Sequence, residues 1–172
     1  MFKYEELTRN NTTYLWYFPD GRPSSVETST SPEATPTDGW GSSAMMYALA
    51  EGLAGVVDCA SLFRSLVVAP RWAAAGCRSA EVTLAYPASG AWCGYRYEHD
   101  PVRRSIDITL RGNATVQLHL LLPAHARAGV VTLGKRQLPF RSVRVGASRY
   151  VDASFRLKGE TDVRIAYLEN SK

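Results

Sequence analysis

The sequence predicts a mainly β protein: a two-sheet antiparallel β-sandwich of jelly-roll-like character, preceded by an irregular arm and one α-helix. Three observations predict it. From residue 61 onward the apolar residues recur with a period of two, the period of a strand with one buried face. Turn signals such as His99-Asp100-Pro101-Val102 and Gly134-Lys135 punctuate these runs at short intervals. Only one stretch, 42–57, has helical periodicity, so the strands follow one another without the crossover helices of a parallel sheet.

Residues 1–41 are rich in Thr, Ser, Pro, Asp and Gly and read as an arm, with a turn at Pro19-Asp20-Gly21-Arg22-Pro23 and a long loop over 24–41. In 42–57, Ser42 or Ser43 is placed to cap a helix by accepting a bond from an orphan amide. Met46, Leu49, Leu53 and Val56 form its apolar stripe, and Ala44, Ala48, Gly52 and Gly55 a second face of very small side chains. Glycine inside a helix costs about 1 kcal/mol relative to alanine. Its use here implies a neighbour whose backbone comes close.

The expected strands are 63–68, 81–86, 91–98, 103–110, 115–122, 130–133, 137–144, 150–157 and 162–167. Within them Ile106, Ile108 and Leu110 alternate with Ser105, Asp107 and Thr109. Likewise Val116, Leu118, Leu120 and Leu122 alternate with Thr115, Gln117 and His119. The predicted domains are an arm with helix over 1–57 and the sandwich over 58–172.

Length and charge narrow the function classes. A chain of 172 residues buries a sizeable core but cannot hold a barrel of twelve helices. Residues 1–60 carry three basic side chains against eight acidic ones, a net of −5; the rest carry seventeen against eight, a net of +9. The basic residues of that half, among them Arg141, Arg144, Arg149, Arg156 and Arg164, are spread singly along the strands rather than clustered. They read as solvated strand faces, and no nucleic-acid partner is expected. No apolar run is long enough for a membrane span, and the acidic start Glu5-Glu6 does not suit a signal peptide, so no membrane partner is expected; the localisation stays open, cytoplasmic if the chain is expressed as it stands. Cys59, Cys77 and Cys93 lack the close spacing of metal ligands and read as structural thiols, mostly buried. No phosphate loop or dinucleotide fingerprint is present, and neither metal nor cofactor is expected.

One succession of motifs is distinctive: Asp38-Gly39-Trp40-Gly41-Ser42-Ser43-Ala44, then Ala50-Glu51-Gly52-Leu53-Ala54-Gly55-Val56, then Val67-Val68-Ala69-Pro70-Arg71-Trp72, then a sandwich with Leu121-Leu122-Pro123. It resembles the C-terminal end of six-hairpin, (α/α)6-barrel glycoside hydrolases of the trehalase-like and rhamnosidase-like group. The resemblance covers most of residues 20–168. It implies a last barrel helix leaving through Pro70-Arg71-Trp72 into a closing sandwich, with carbohydrate as the substrate class. It also implies a barrel neighbour for the 42–57 helix; in an isolated chain, an exposed stripe of Met46, Leu49 and Leu53 would favour self-association instead.

Inverting glycosidases pair an acid with a base about 6.5–9.5 Å apart. The resemblance places the base at Glu27, near Glu33 and Asp38, with its acid partner in a barrel this chain is too short to hold. The chain is therefore expected to be inactive alone. Trp40 reads either as a sugar-stacking wall or as helix-entry packing. Trp92, Tyr95 and Tyr97 suggest a carbohydrate platform, but alternation puts Cys93, Tyr95 and Tyr97 on the core face. Trp92 is left on the outer face with Arg96 and Glu98. His99, His119 and His125 have neither metal spacing nor a nucleophile beside them in sequence. The expected function is thus a non-catalytic accessory sandwich of a glycoside-hydrolase-like protein. The alternatives are a carbohydrate-binding module, or part of a glycosidase completed by a barrel-bearing partner.

Overall fold

The computed structural model describes residues 39–169, with side chains from residue 43 onward. The chain divides at Leu49/Ala50 into two compact units, the second of which carries the whole sheet. Helix α1 spans Gly39–Tyr47 and passes into a π-helical turn, Ala48–Leu53. Nine strands follow: β1 Val56–Asp58, β2 Ser65–Val68, β3 Ser79–Tyr86, β4 Ala91–Asp100, β5 Ser105–Leu121, β6 Ala126–Leu133, β7 Arg136–Gln137, β8 Arg141–Val145 and β9 Ser148–Glu169. Among the described residues no helix is long and apolar enough to cross a membrane.

The helix differs from its expectation at both ends. Ser42 and Ser43 lie inside α1 rather than capping it, because the helix already includes Gly39. Helical backbone stops at Leu53, and Val56 pairs with Val68 in β1, so the expected stripe from Met46 to Val56 does not form. Gly55 is the cause: it takes a left-handed φ of 69°, a conformation that ends helices and that side chains with a Cβ resist. Met46 and Leu49 are exposed, whereas Val56 is buried in the sheet.

The sheet is mainly antiparallel; the β2–β5 pair is its parallel exception. Its spine is the antiparallel pairing of β5 with β9, in register from Ser105↔Ala166 to Leu121↔Tyr150. Each is a single long strand where the sequence pattern predicted two. At the midpoint Gly112 faces Gly159, with φ of 143° and 68°, so both chains turn at one rung without interrupting the ladder. On one side of this rung β5 pairs with β4, which pairs with β3, while β9 pairs with β6. On the other side β5 pairs with β2, which pairs with β1, while β9 pairs with β8. The β5–β9 ribbon therefore feeds two layers, as a sandwich requires.

The same face of the ribbon is buried along its whole length. Ile106, Ile108, Leu110, Val116, Leu118 and Leu120 from β5 meet Val151, Phe155, Leu157, Val163 and Ile165 from β9 in one core cluster. The layers close on each other through contacts between their far strands. The rings of Phe63 and Tyr86 stack with centroids 4.5 Å apart, and Tyr95 on β4 reaches Ala54 just before β1. A residual gap of only about 10 Å³ separates Val56, Leu66 and Val68 from Cys93, Tyr95 and Leu110. The expected alternation on β4 holds: Cys93, Tyr95 and Tyr97 are buried and Trp92, Arg96 and Glu98 are exposed. The cysteines depart from expectation, since only Cys93 is buried; Cys77 is half-buried and Cys59 exposed.

Candidate functional site

Of the catalytic and sugar-stacking candidates singled out in the sequence, only Trp92 has a described side chain, as do the three histidines. Glu27 lies outside the described residues, as do Glu33 and Asp38. Trp40 falls in α1, and its side chain is likewise outside them. Trp92 is 49% exposed on the outer face of the β3–β4–β5 layer. That face is a lattice of compensated charge. Arg111 bridges Glu81 and Glu160, Arg164 forks onto Asp107 at 2.6 and 3.1 Å, and Arg96 faces Glu98 at 3.6 Å. Trp92 sits opposite Ala85, with no second aromatic on the paired positions of its rung. A planar sugar platform needs aromatics in line, so this layer offers a solvated face instead.

A built arrangement appears where the helical turn meets the sheet. Arg71 donates from Nη1 to the Glu51 carbonyl at 3.1 Å and to the Gly52 carbonyl, and its backbone N–H donates to Leu53 O at 3.0 Å. These are end carbonyls of the π-helical turn, which lack intrahelical partners and are satisfied here by a fixed cation. One step on, Trp72 Nε1 donates to the Tyr95 hydroxyl at 2.8 Å, and that hydroxyl donates to Ala54 O at 2.7 Å. Burial first of all, despite the Trp72 bond, holds the Tyr95 phenol well above its usual range, so it stays a donor. Ala69 N–H completes the clamp with a 2.7 Å bond to Gly55 O. Every carbonyl from Glu51 to Gly55 is thus engaged by the 69–72 link or by Tyr95. Of the two glycines on that small face, Gly55 meets a close-packed backbone and Gly52 does not. A Cβ at Gly55 would collide with the Ala69 carbonyl and lie 2.9 Å from Ala69 Cα, whereas Gly52 has open space around it. The close neighbour is the exit from β2, not a second helix.

A groove of about 680 Å³ lies on the outer face of the other layer. Its floor is Val67, Gln117, His119, Asp152 and Ser154, and Pro139, Phe140 and Arg141 rise beside it as the chain enters β8. His119 and Asp152 are direct cross-strand partners, with Nδ1 2.6 Å from Oδ1. The ring also stacks on Tyr150, centroids 4.1 Å apart and planes within 11°. Arg141 Nη2 donates to the other carboxylate oxygen at 3.3 Å. Ser154 is on the next rung, paired with Gln117. It is a diagonal neighbour of His119 on the same face, and no hydrogen bond joins the two side chains.

Elsewhere His99 Nε2 lies 2.8 Å from the Tyr167 hydroxyl, and desolvation, then Arg78, lowers its pKa. His125 is exposed in a turn with φ of 65°. Among the described residues no group of three or more His, Cys, Asp or Glu is placed to hold a metal ion.

Sequence reasoning missed both arrangements. The signals were partial: a buried tyrosine needs a partner for its hydroxyl, and Arg71 stands in a distinctive motif. His119 and Asp152 are 33 residues apart, and only the β5–β9 register joins them. The fold and these sites define a mainly β, sandwich-like protein whose sheet grips the end of a helical segment. Comparison with protein-family models, curated proteins and solved structures found no match for the chain.

Proposed function

We propose that the chain is a non-catalytic accessory β-sandwich of a glycoside-hydrolase-like protein, whose task is to seat the last helical segment of an (α/α)6 barrel. The clamp supports this reading. The motifs that carry the resemblance, Gly52-Leu53-Ala54-Gly55 and Pro70-Arg71-Trp72, are the two sides of one hydrogen-bonded joint. A guanidinium is suited to the place because one planar Nη1 carries two N–H donors and reaches both carbonyls. Holding the end carbonyls of a helical segment is a task that a barrel-capping domain must perform. The charge-paired outer face beside Trp92 suits a solvated surface rather than a catalytic one.

The locus upstream of the Met1 codon provides the first test. A reading frame there for paired helices, in the same or an adjoining gene, supports the proposal, and its absence overturns it. In protein co-produced with that barrel, Arg71→Ala is expected to lower the melting temperature of the enzyme with kcat retained. An unchanged melting temperature would remove the clamp from the argument. The chain by itself is expected not to turn over aryl glycosides, and measurable turnover would refute the non-catalytic assignment.

A further inference from the structure

We propose that the pocket lined by Arg127, Arg144 and Arg149, between β6 and the β8–β9 hairpin, binds the phosphoryl group of a phosphate monoester. Neither the clamp nor the groove over His119 takes part, and the inference does not rest on the accessory role.

Strand register sets the placement of two of these arginines. Ser142 on β8 faces Val151 on β9, which is fully buried. The next pair on the same side of the hairpin is Arg144 opposite Arg149. Both side chains therefore leave the backbone on the side from which Val151, Ala153 and Phe155 enter the core. Read along the sequence they are spread singly; on this rung they concentrate positive charge on an inward-facing side.

A cavity of about 220 Å³ opens against this rung, and Arg127 on β6 lines it as well. That is room for a phosphoryl group and a few atoms of its carrier. Among the described residues, no carboxylate lines the cavity. The nearest acids along these strands are engaged elsewhere. Asp152 holds His119 and Arg141, and Glu169, opposite Ala126, lies 3.7 Å from Arg104.

The donors are ready. Arg144 Nε donates to Gly146 O at 2.9 Å, which fixes the guanidinium and leaves both Nη groups without a partner among the described residues. Arg127 makes no hydrogen bond or ion pair with another described residue. Ser142 adds a hydroxyl, and Leu122 and Val143 supply apolar lining that limits screening by water. A carboxylate presents two oxygens and one charge, enough for a single guanidinium fork. A phosphoryl dianion presents three oxygens and a charge near −2, and so answers more than one fork at once.

The full chain, isotopically labelled, is titrated at slightly alkaline pH with phenyl phosphate, inorganic phosphate, acetate and sodium chloride. It is also sedimented with phosphatidylcholine vesicles with and without phosphatidic acid. Phenyl phosphate is expected to shift the Nε–Hε resonances of Arg127 and Arg144 and to bind more tightly than acetate. Arg127→Gln and Arg144→Gln are each expected to weaken that binding roughly ten-fold. Arg156→Gln, on the outward side of β9, is expected to leave it unaltered. Retention by phosphatidic acid vesicles that Arg144→Gln abolishes makes a lipid headgroup the carrier; binding of phenyl phosphate without retention makes it a soluble ester. Three results overturn the proposal: no shift beyond that given by sodium chloride, equal or tighter binding of acetate, or phenyl phosphate binding that survives the Arg127→Gln, Arg144→Gln double substitution.

Discussion

Gly52 and Gly55 are three residues apart, and replacing each by alanine is expected to move stability in opposite directions. At Gly55 the left-handed backbone (φ 69°) costs about 1–2 kcal/mol for a residue with a Cβ. The added Cβ also meets the Ala69 carbonyl and sits 2.9 Å from Ala69 Cα. Relieving that overlap by backbone displacement costs about 1–3 kcal/mol. The shift loosens the 2.7 Å bond from Ala69 N–H to Gly55 O as well. Gly55→Ala is therefore expected to destabilise by about 2–5 kcal/mol, a large share of the ~5–15 kcal/mol typical of a domain. Gly52 has nothing within 4 Å, lies in the π-helical turn and has no positive φ. Gly52→Ala is expected to stabilise by about 0.5–1 kcal/mol. Denaturant unfolding followed by circular dichroism of the sheet measures both. A loss below about 1 kcal/mol at Gly55, or the same sign at both positions, would refute the close approach of the Ala69 backbone.

Three further outcomes follow from the same geometry. Arg71→Lys removes the planar Nη1 group that donates to both the Glu51 and Gly52 carbonyls and is expected to cost about 1–3 kcal/mol, measured by the same unfolding curves. Burial pushes the Cys93 thiol up to about 11, so the native protein is expected to react with a thiol reagent first at exposed Cys59, and at Cys93 only on unfolding; early labelling of Cys93 would contradict its place in the core. Because the folded pKa of His99 is lowered below its ordinary 6.5, chiefly by desolvation and then by Arg78, the unfolded chain binds the extra proton more readily. Stability is thus full above about pH 6.5 and falls as acid is added through the lower folded pKa. His99→Gln is expected to flatten that part of the stability–pH curve, and an unaltered slope would show that His99 is not its source.

The strands were legible in the sequence because a half-buried strand writes its burial into every second residue. Ile106 to Leu110 and Val116 to Leu122 point inward as their alternation predicted. Trp92 is on the outer face opposite Cys93 for the same reason. The gaps assigned near Gly112 and Gly159 were misread. Glycine reads as a break in a one-dimensional pattern, but two glycines facing each other across a ladder let it bend without ending. The helix was misread at Gly55 for a related reason: small residues at helical spacing are compatible with a helix face, and only the position of Ala69 selects a left-handed turn there instead.

The sites show the same division. Local pattern determined which residues are buried, where the turns at Gly134 and around Pro101 fall, and that the protein is mainly β, since these depend on neighbours within a few positions. What tertiary structure alone decided is which distant residues meet: Arg71 with the carbonyls of Glu51 and Gly52, Tyr95 with Ala54, and His119 with Asp152. Strand register and the packing of one layer on another are long-range quantities. A one-residue slip of β9 would leave each strand's own alternation unchanged and still part His119 from Asp152.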